Sequence, residues 1–241
     1  MATPTFYHPE LTAHDSEVSL STLESAHAVK ARRLRKGNAV QLINGKGLLA
    51  QALIMDIDDR KVQLQIKHCV TVKPLKSISI ASAIPKGDRQ RTMVDMLTQL
   101  GVKQIFPLEC ERSVTKFKSS MLEKWQRWAI EACKQSQNPW LPEIHSAISV
   151  KEAITKSSYN ILYADVSGRF IQSLECGYER QLDPTNSSSD VLILIGPEGG
   201  FSDSEHVLLE SDRYEAICLG NTILRTELAS VTALIQLLDE R

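Results

Sequence analysis

The sequence predicts an α/β domain on a parallel sheet, preceded by a small β-rich domain. Three observations predict it. Val191 to Ile195 is an unbroken apolar run, as in a central parallel strand covered on both faces. From about residue 74 onward, strand-like and helix-like segments alternate. Before that point the apolar residues alternate in short runs separated by turn signals.

The first 73 residues are the proposed β-rich domain. Thr5-Phe6-Tyr7 opens a strand, and Leu23 to Arg35 is expected to be helical. Ala39 to Ile43 alternates at period 2, Asn44-Gly45 signals a hairpin, and Leu48 to Ile54 is its partner strand. Asp58-Asp59 turns the chain into a third strand with Val62, Leu64 and Ile66 on one face. Strands this short close into a barrel or pack on a partner.

Lys73-Pro74-Leu75-Lys76 reads as a linker, and residues 74–241 as the α/β domain. Ile78 to Ile84 is a strand, and Arg89 to Leu100 a helix stopped by Gly101. Val102 to Phe106 is a short strand ending at Pro107. Ser120 with Glu123 should cap a helix carrying Leu122, Trp125, Ala129 and Ala132 on one stripe. Trp125 and Trp128 read as core or interface aromatics, and Pro139 and Pro142 end that segment. Tyr159 to Tyr163 is a strand and Pro184 to Ser189 a polar loop. Ser202 with Glu205 is a second capping box, and Ala216 to Leu219 is the last strand. Glu227 to Leu238 closes the chain as a helix, with Leu228, Val231, Leu234, Ile235 and Leu238 on its apolar side.

The charge is divided along the chain. Residues 1–130 carry 20 Lys and Arg against 12 Asp and Glu, a net +8, and residues 131–241 carry 8 against 17, a net −9. Such a division suggests one region facing a polyanion and another doing different work. The five cysteines are scattered with no C-x-x-C pair, so free thiols are expected and neither zinc nor a disulfide framework. No run reaches the ~18 apolar residues of a membrane span. Met1 to Glu10 lacks the basic and apolar regions of a signal peptide, so a cytoplasmic location is expected.

Ligands of open parallel sheets bind beyond the carboxyl ends of the strands. Two such ends are unusual here: Ile195-Gly196-Pro197-Glu198-Gly199-Gly200-Phe201, and Leu219-Gly220-Asn221-Thr222-Ile223-Leu224-Arg225-Thr226-Glu227. The first packs three glycines around one carboxylate, letting backbone approach a ligand closely. It is neither the phosphate loop of an NTPase nor the G-x-G-x-x-G of a dinucleotide fold. No His in this half has a motif partner, and His145 and His206 read as surface residues.

These two segments resemble the C-terminal signature of the RsmE family of 16S ribosomal RNA (uracil-N3)-methyltransferases. Further blocks follow in that family's order: Lys86-Gly87-Asp88-Arg89, Leu100-Gly101-Val102, Pro107-Leu108, Arg112-Ser113, Glu131-Ala132 and Gln135-Ser136. His27 through Arg33-Leu34-Arg35 and Gly37, with Gly45-Lys46-Gly47, resemble its N-terminal block. Asp95, Gln99, Asn138, Thr222 and Leu228 depart from the usual residues.

The resemblance implies a SPOUT fold with a C-terminal trefoil knot, a PUA-like β-barrel binding RNA, and a homodimer with the site at or near the subunit interface. It implies that S-adenosyl-L-methionine (SAM) is held by Ile195, Gly196, Gly199, Leu219, Gly220, Ile223 and Leu224, with no metal. The substrate would be 16S rRNA or the small ribosomal subunit. Removal of the N3 proton leaves an anionic uracil, which an arginine can stabilise. Arg225 is the candidate for this role, with Glu198 beside it to order the loop or anchor the cofactor. Lys30, Arg32, Arg33, Arg35, Lys86, Arg89 and Arg112 are the candidate phosphate contacts. Two alternatives stay open: methylation of another RNA, and an rRNA-binding assembly factor without catalysis.

Overall fold

The computed structural model describes residues 3–58, 61–156, 159–170, 190–210 and 214–238. Cys176 and the polar loop from Pro184 to Ser189 lie outside these residues. Chain contacts divide the molecule into two compact units, Met1–Leu75 with Ile130–Leu141, and Lys76–Ala129 with Pro142–Arg241.

The first unit is built on a five-stranded sheet. β1 (Thr5–Tyr7) pairs in parallel with β3 (Ala39–Ile43). β3, β4 (Leu48–Asp58) and β5 (Lys61–Thr71) run antiparallel, and β2 (Glu17–Ser19) pairs with β5. The period-2 pattern works as expected: Val40, Leu42, Ala50, Ala52, Val62 and Leu64 all point into one buried cluster with Phe6. At the first hairpin the Asn44 side chain accepts from the backbone N–H groups of Lys46 and Leu48, holding the turn open for Gly45 to Gly47.

The long helix expected from Leu23 to Arg35 is interrupted. α1 (Thr22–Ala26) is capped by Ser21 and gives way to a π-helical turn at His27–Ala31. Arg33 adopts a left-handed φ of 53°, and the Leu34 N–H reaches back to the Ala28 carbonyl at 3.0 Å. The last turn is widened by one residue, and it ends the helix before the cationic run Arg32 to Lys36 can continue it. Lys30, Arg32, Arg33 and Arg35 are all exposed here.

The second unit carries a parallel sheet in the order β12-β10-β11-β6-β7-β8. Its strands are β6 (Ile78–Ala83), β7 (Gln104–Glu109), β8 (Glu143–Ile144), β10 (Asn160–Phe170), β11 (Val191–Ile195) and β12 (Glu215–Cys218), with β9 (Ile148–Ser149) also paired to β7. Every residue of β6 and β11 is buried, which accounts for the unbroken apolar run of β11, while β6 carries two buried serines, Ser79 and Ser82.

α2 (Arg89–Gln99) ends where Gly101 takes a φ of +83° and the Val102 N–H bonds back to the Leu97 carbonyl, as the glycine stop predicts. Asp95 and Gln99, both departures from the family pattern, are hydrogen-bonded to each other one turn apart at 2.9 Å.

The strand expected to stop before Pro107 runs on to Glu109. The His145 N–H bonds to the Ile105 carbonyl, so the odd-numbered backbone groups of β7 face β8 and β9. β8 pairs only as far as Ile105 and β9 only from Leu108. Pro107 sits opposite the gap, where its missing N–H removes no ladder bond.

α3 (Ser119–Ser136) places Trp125 in the core, with its indole N–H donating to Gln90 Oε1. Its helix begins at Ser119, so Ser120 is already inside it and does not cap it with Glu123. Near its end, Lys134 Nζ lies 2.9 Å from both Glu24 and Glu131, and the Lys134 and Glu24 side chains are only 7% and 8% exposed.

α4 (Val150–Ile154) carries a capping box, Ser149 with Glu152, that the sequence reading did not pick out. α5 (Asp203–Leu209) carries the expected one, Ser202 with Glu205. α6 (Thr226–Leu238) buries the expected Val231 and Leu234 together with Ala229, Ser230, Ala233 and Leu237, whereas Leu228 and Ile235 face outward. The small residues lie against the sheet, with Ser230 Oγ 3.0 Å from Ser82 Oγ, so the buried stripe is rotated from the one expected.

His145 and His206 are half-buried rather than surface residues. His145 stacks on Phe106 at 4.1 Å, and His206 meets the Phe201 ring edge-on at 6.1 Å. No described helix is long and apolar enough to cross a membrane.

Candidate active site

A cavity of about 290 Å³ opens at the carboxyl ends of β11 and β12, beside the middle of β10. It brings together both unusual segments, because neighbouring parallel strands deliver their carboxyl-end loops to one edge of the sheet. Ile195, Gly196 and Gly199 line it from the loop after β11. Leu219, Gly220, Ile223 and Leu224 line it from the loop after β12. Glu198 is also in the wall, whereas Arg225 is not. The sequence reading missed Ala164, Asp165 and Val166, which enter from β10, and Pro197, Phe201, Thr222 and Thr226. For the β10 residues the one available signal was their place after the expected strand Tyr159 to Tyr163.

The loop after β11 is fixed from several sides. The Gly200 N–H closes a turn onto the Pro197 carbonyl at 2.8 Å, and the Phe201 ring lies directly behind Gly196. Glu205, 5% exposed, accepts from the Ser202 N–H through one oxygen and from the Glu111 N–H through the other. Arg112 Nη1 donates to the carbonyls of Gly199 (3.2 Å) and Phe201 (2.8 Å), and Nη2 to Asp203. The Ser204 and Ser202 hydroxyls hold the Glu111 carboxyl below the usual carboxylate range.

Arg89 connects this loop to the next. Its Nη1 is 3.2 Å from Glu198 and 3.8 Å from Glu227, which follows the loop after β12. Glu227 Oε2 is buried with no hydrogen-bond partner, so the Arg89 charge is what offsets it. The candidate phosphate contacts Arg89 and Arg112 therefore have partners inside the chain, while Lys86 is exposed.

Arg225 stands at the end of the second loop, one residue before α6. Its side chain is exposed and forms no ion pair with a described residue; Arg89 pairs with Glu198 and Glu227 instead. An arginine with no ion pair to a described residue, beside a half-open cavity, is available to an anion that arrives from outside. Among the described residues, no group of three or more His, Cys, Asp or Glu side chains could hold a metal ion.

β10 makes an abrupt detour at the cavity. Its pairing with β12 reaches Ala164↔Ile217 and resumes at Arg169↔Ile217, leaving the four residues between looped out. Gly168 permits this: a Cβ there would meet the Ala216 carbonyl carbon and oxygen at 2.6 Å. Asp165 and Val166, on the loop, are thereby placed in the cavity wall.

Residues 71–238 match the family described as RNA methyltransferase domain, and residues 24–67 match the RNA methyltransferase PUA domain. The ribosomal RNA small subunit methyltransferase E of Rickettsia conorii is 32% identical over 230 residues, spanning 93% of this chain and 90% of that one. The protein of the same name from Synechocystis is 27% identical, over 92% and 73%. Among solved structures, the Neisseria gonorrhoeae ribosomal RNA small subunit methyltransferase E bound to SAM superposes with a TM-score of 0.84 at 26% identity, over 97% and 96%. A Legionella pneumophila protein solved with bound SAM gives 0.83 at 28%, over 99% and 97%.

Proposed function

The chain belongs to the RNA methyltransferase family that includes ribosomal RNA small subunit methyltransferase E, and from that premise we propose that it methylates N3 of a uridine in 16S rRNA of the small ribosomal subunit. It is a SAM-dependent rRNA methyltransferase. The observation that carries this reading is the convergence of the two family loops on one cavity.

The cavity suits SAM. Its volume is close to the lower end of the roughly 300–1,000 Å³ of small-molecule sites, and aliphatic walls and glycine backbone suit an adenine and a ribose. Ile195, Gly196, Gly199, Leu219 and Gly220 would hold the nucleoside through their backbone, with Ile223 and Leu224 as walls. When bound, SAM supplies an activated methyl group on a sulfonium. The chain's own task is to hold uracil in line and stabilise its anion. Arg225 is proposed to face O2 or O4 of the deprotonated ring, where charge gathers as N3 loses its proton. Glu198, paired to Arg89, orders the loop.

Finer features follow the same reading. Residues 1–73 are proposed as a PUA-like barrel and 74–241 as a SPOUT domain with a trefoil knot. Lys30, Arg32, Arg33, Arg35 and Lys86, being exposed, would contact phosphates, with Arg89 and Arg112 adding their free donors. A homodimer is supported by the outward-facing apolar side chains of Ile223, Leu228 and Ile235 at the cavity and on α6. A cytoplasmic location follows from the substrate.

Labelled SAM incubated with the protein and small subunits from cells lacking the gene should place label in 16S rRNA as 3-methyluridine, mapped by nuclease digestion and mass spectrometry. SAM binding without label in 16S rRNA would overturn the assigned substrate. In a separate experiment, Arg112→Ala frees the Gly199 and Phe201 carbonyls; if the bound-like loop population falls to about a tenth, apparent SAM affinity falls about tenfold. Calorimetry checks this, and an unchanged Kd would show that the loop holds without Arg112.

A further inference from the structure

The charges around the cavity are lopsided. Among the described residues that line it there is no lysine, arginine or histidine, but there are two carboxylates, Glu198 and Asp165. Glu198 is half-exposed and its charge is met by Arg89 at 3.2 Å. Asp165 has no such partner. Its side chain is 19% exposed, Oδ1 accepts from the Ser167 N–H (2.8 Å) and the Ser167 hydroxyl (2.5 Å), and Oδ2 lies 3.8 Å from His206 Nε2. No Lys or Arg among the described residues comes within ion-pair distance of it. The looped-out stretch of β10, which Gly168 makes possible against Ala216, puts Asp165 in the wall. Asp165 lies just past the strand expected from Tyr159 to Tyr163 and was not itself singled out in the sequence.

We propose that Asp165 makes the cavity cation-selective, so that it holds sulfonium-bearing SAM in preference to the neutral thioether product, S-adenosylhomocysteine. The proposal rests on the reading of the cavity as the SAM site. Apolar walls such as Ile195, Phe201, Ile217 and Leu224 lower the polarity around the carboxylate, so its field is less screened than on an open surface. SAM and its product share the ammonium and carboxylate of their amino-acid portion and differ in the sulfur-bound methyl and the positive charge it brings. In methyl transfer the S–CH₃ bond breaks, its electron pair returns to sulfur, and the N3 anion supplies the pair for the new N–CH₃ bond. The positive charge at sulfur disappears, and with it the attraction to Asp165. The same carboxylate that gathers the cofactor thus lets the spent product go.

The test is calorimetric titration of the full chain with SAM, S-adenosylhomocysteine and sinefungin, which carries an amine cation where SAM carries its sulfonium methyl. The wild-type protein should bind SAM about tenfold more tightly than S-adenosylhomocysteine, an effect of the size expected for one partly screened charge pair, and sinefungin should follow SAM. Asp165→Asn should bring the three Kd values within about twofold of one another by weakening SAM and sinefungin, while Asp165→Glu keeps the preference. An unchanged preference in Asp165→Asn overturns the proposal. So does a wild-type protein that binds S-adenosylhomocysteine as tightly as SAM, which needs no variant to fold. A wild-type protein that binds none of the three removes the cofactor reading itself, and this proposal with it.

Discussion

Arg225→Ala should lower kcat by about 10²–10³-fold, the cost of removing one preorganised donor from a developing anion, while SAM affinity stays within about twofold. The split between rate and affinity follows from where the residue stands. Arg225 is outside the cavity wall and makes no ion pair with a described residue, so its loss should leave the SAM pocket intact. Single-turnover methylation with saturating small subunits isolates the chemical step. Arg225→Lys should recover only part of the rate, because a point charge cannot match a guanidinium fork against a planar ring oxygen. A full rate in Arg225→Ala, or a rate loss matched by lost SAM affinity, would remove Arg225 from the chemistry.

Lys134→Ala should destabilise the unit formed by Met1–Leu75 and Ile130–Leu141 by about 3–5 kcal/mol, the usual cost of removing one partner of a buried ion pair. Glu24 already has one oxygen, Oε2, buried without a partner, and Lys134 compensates the other at 2.9 Å. Without the ammonium, the carboxylate is left with neither water nor a counter-charge. The companion double variant Lys134→Met with Glu24→Leu should recover most of the loss, since nothing charged then remains to be desolvated. Urea unfolding reads both, as a drop in midpoint at constant slope for the single variant. A single variant within about 0.5 kcal/mol of wild type would mean that water reaches Glu24.

What could be read in the chain beforehand was what short-range chemistry dictates. The apolar run of β11, the glycine stop at Gly101 and the capping box at Ser202 each depend on a few neighbours in sequence, and each was found in its expected place. The meeting of the two glycine-bearing loops was also legible, because the carboxyl ends of parallel strands share an edge.

The rest depended on partners far along the chain. Pro107 looked like a strand end until the gap between β8 and β9 opposite it was known. The detour at Asp165 has no local signature, since it depends on Gly168 passing the backbone of Ala216. Arg89 and Arg112 carry the same charge as any phosphate contact, and nothing in their neighbourhood told that Glu198 and the Gly199 carbonyl were waiting. The outward stripe of α6 was misjudged because the serine and alanines that fit against β6 count as weakly apolar.

The position of β6 also bears on how the chain is made. Ile78 pairs with Val191, which is 113 positions later. At a synthesis rate of about 5–20 residues per second, β6 waits some 6–23 s after leaving the ribosome before its central neighbour exists. Throughout that interval an all-buried strand has a bare edge and no cover on that side. A truncated product ending before residue 190 carries the exposed edge permanently.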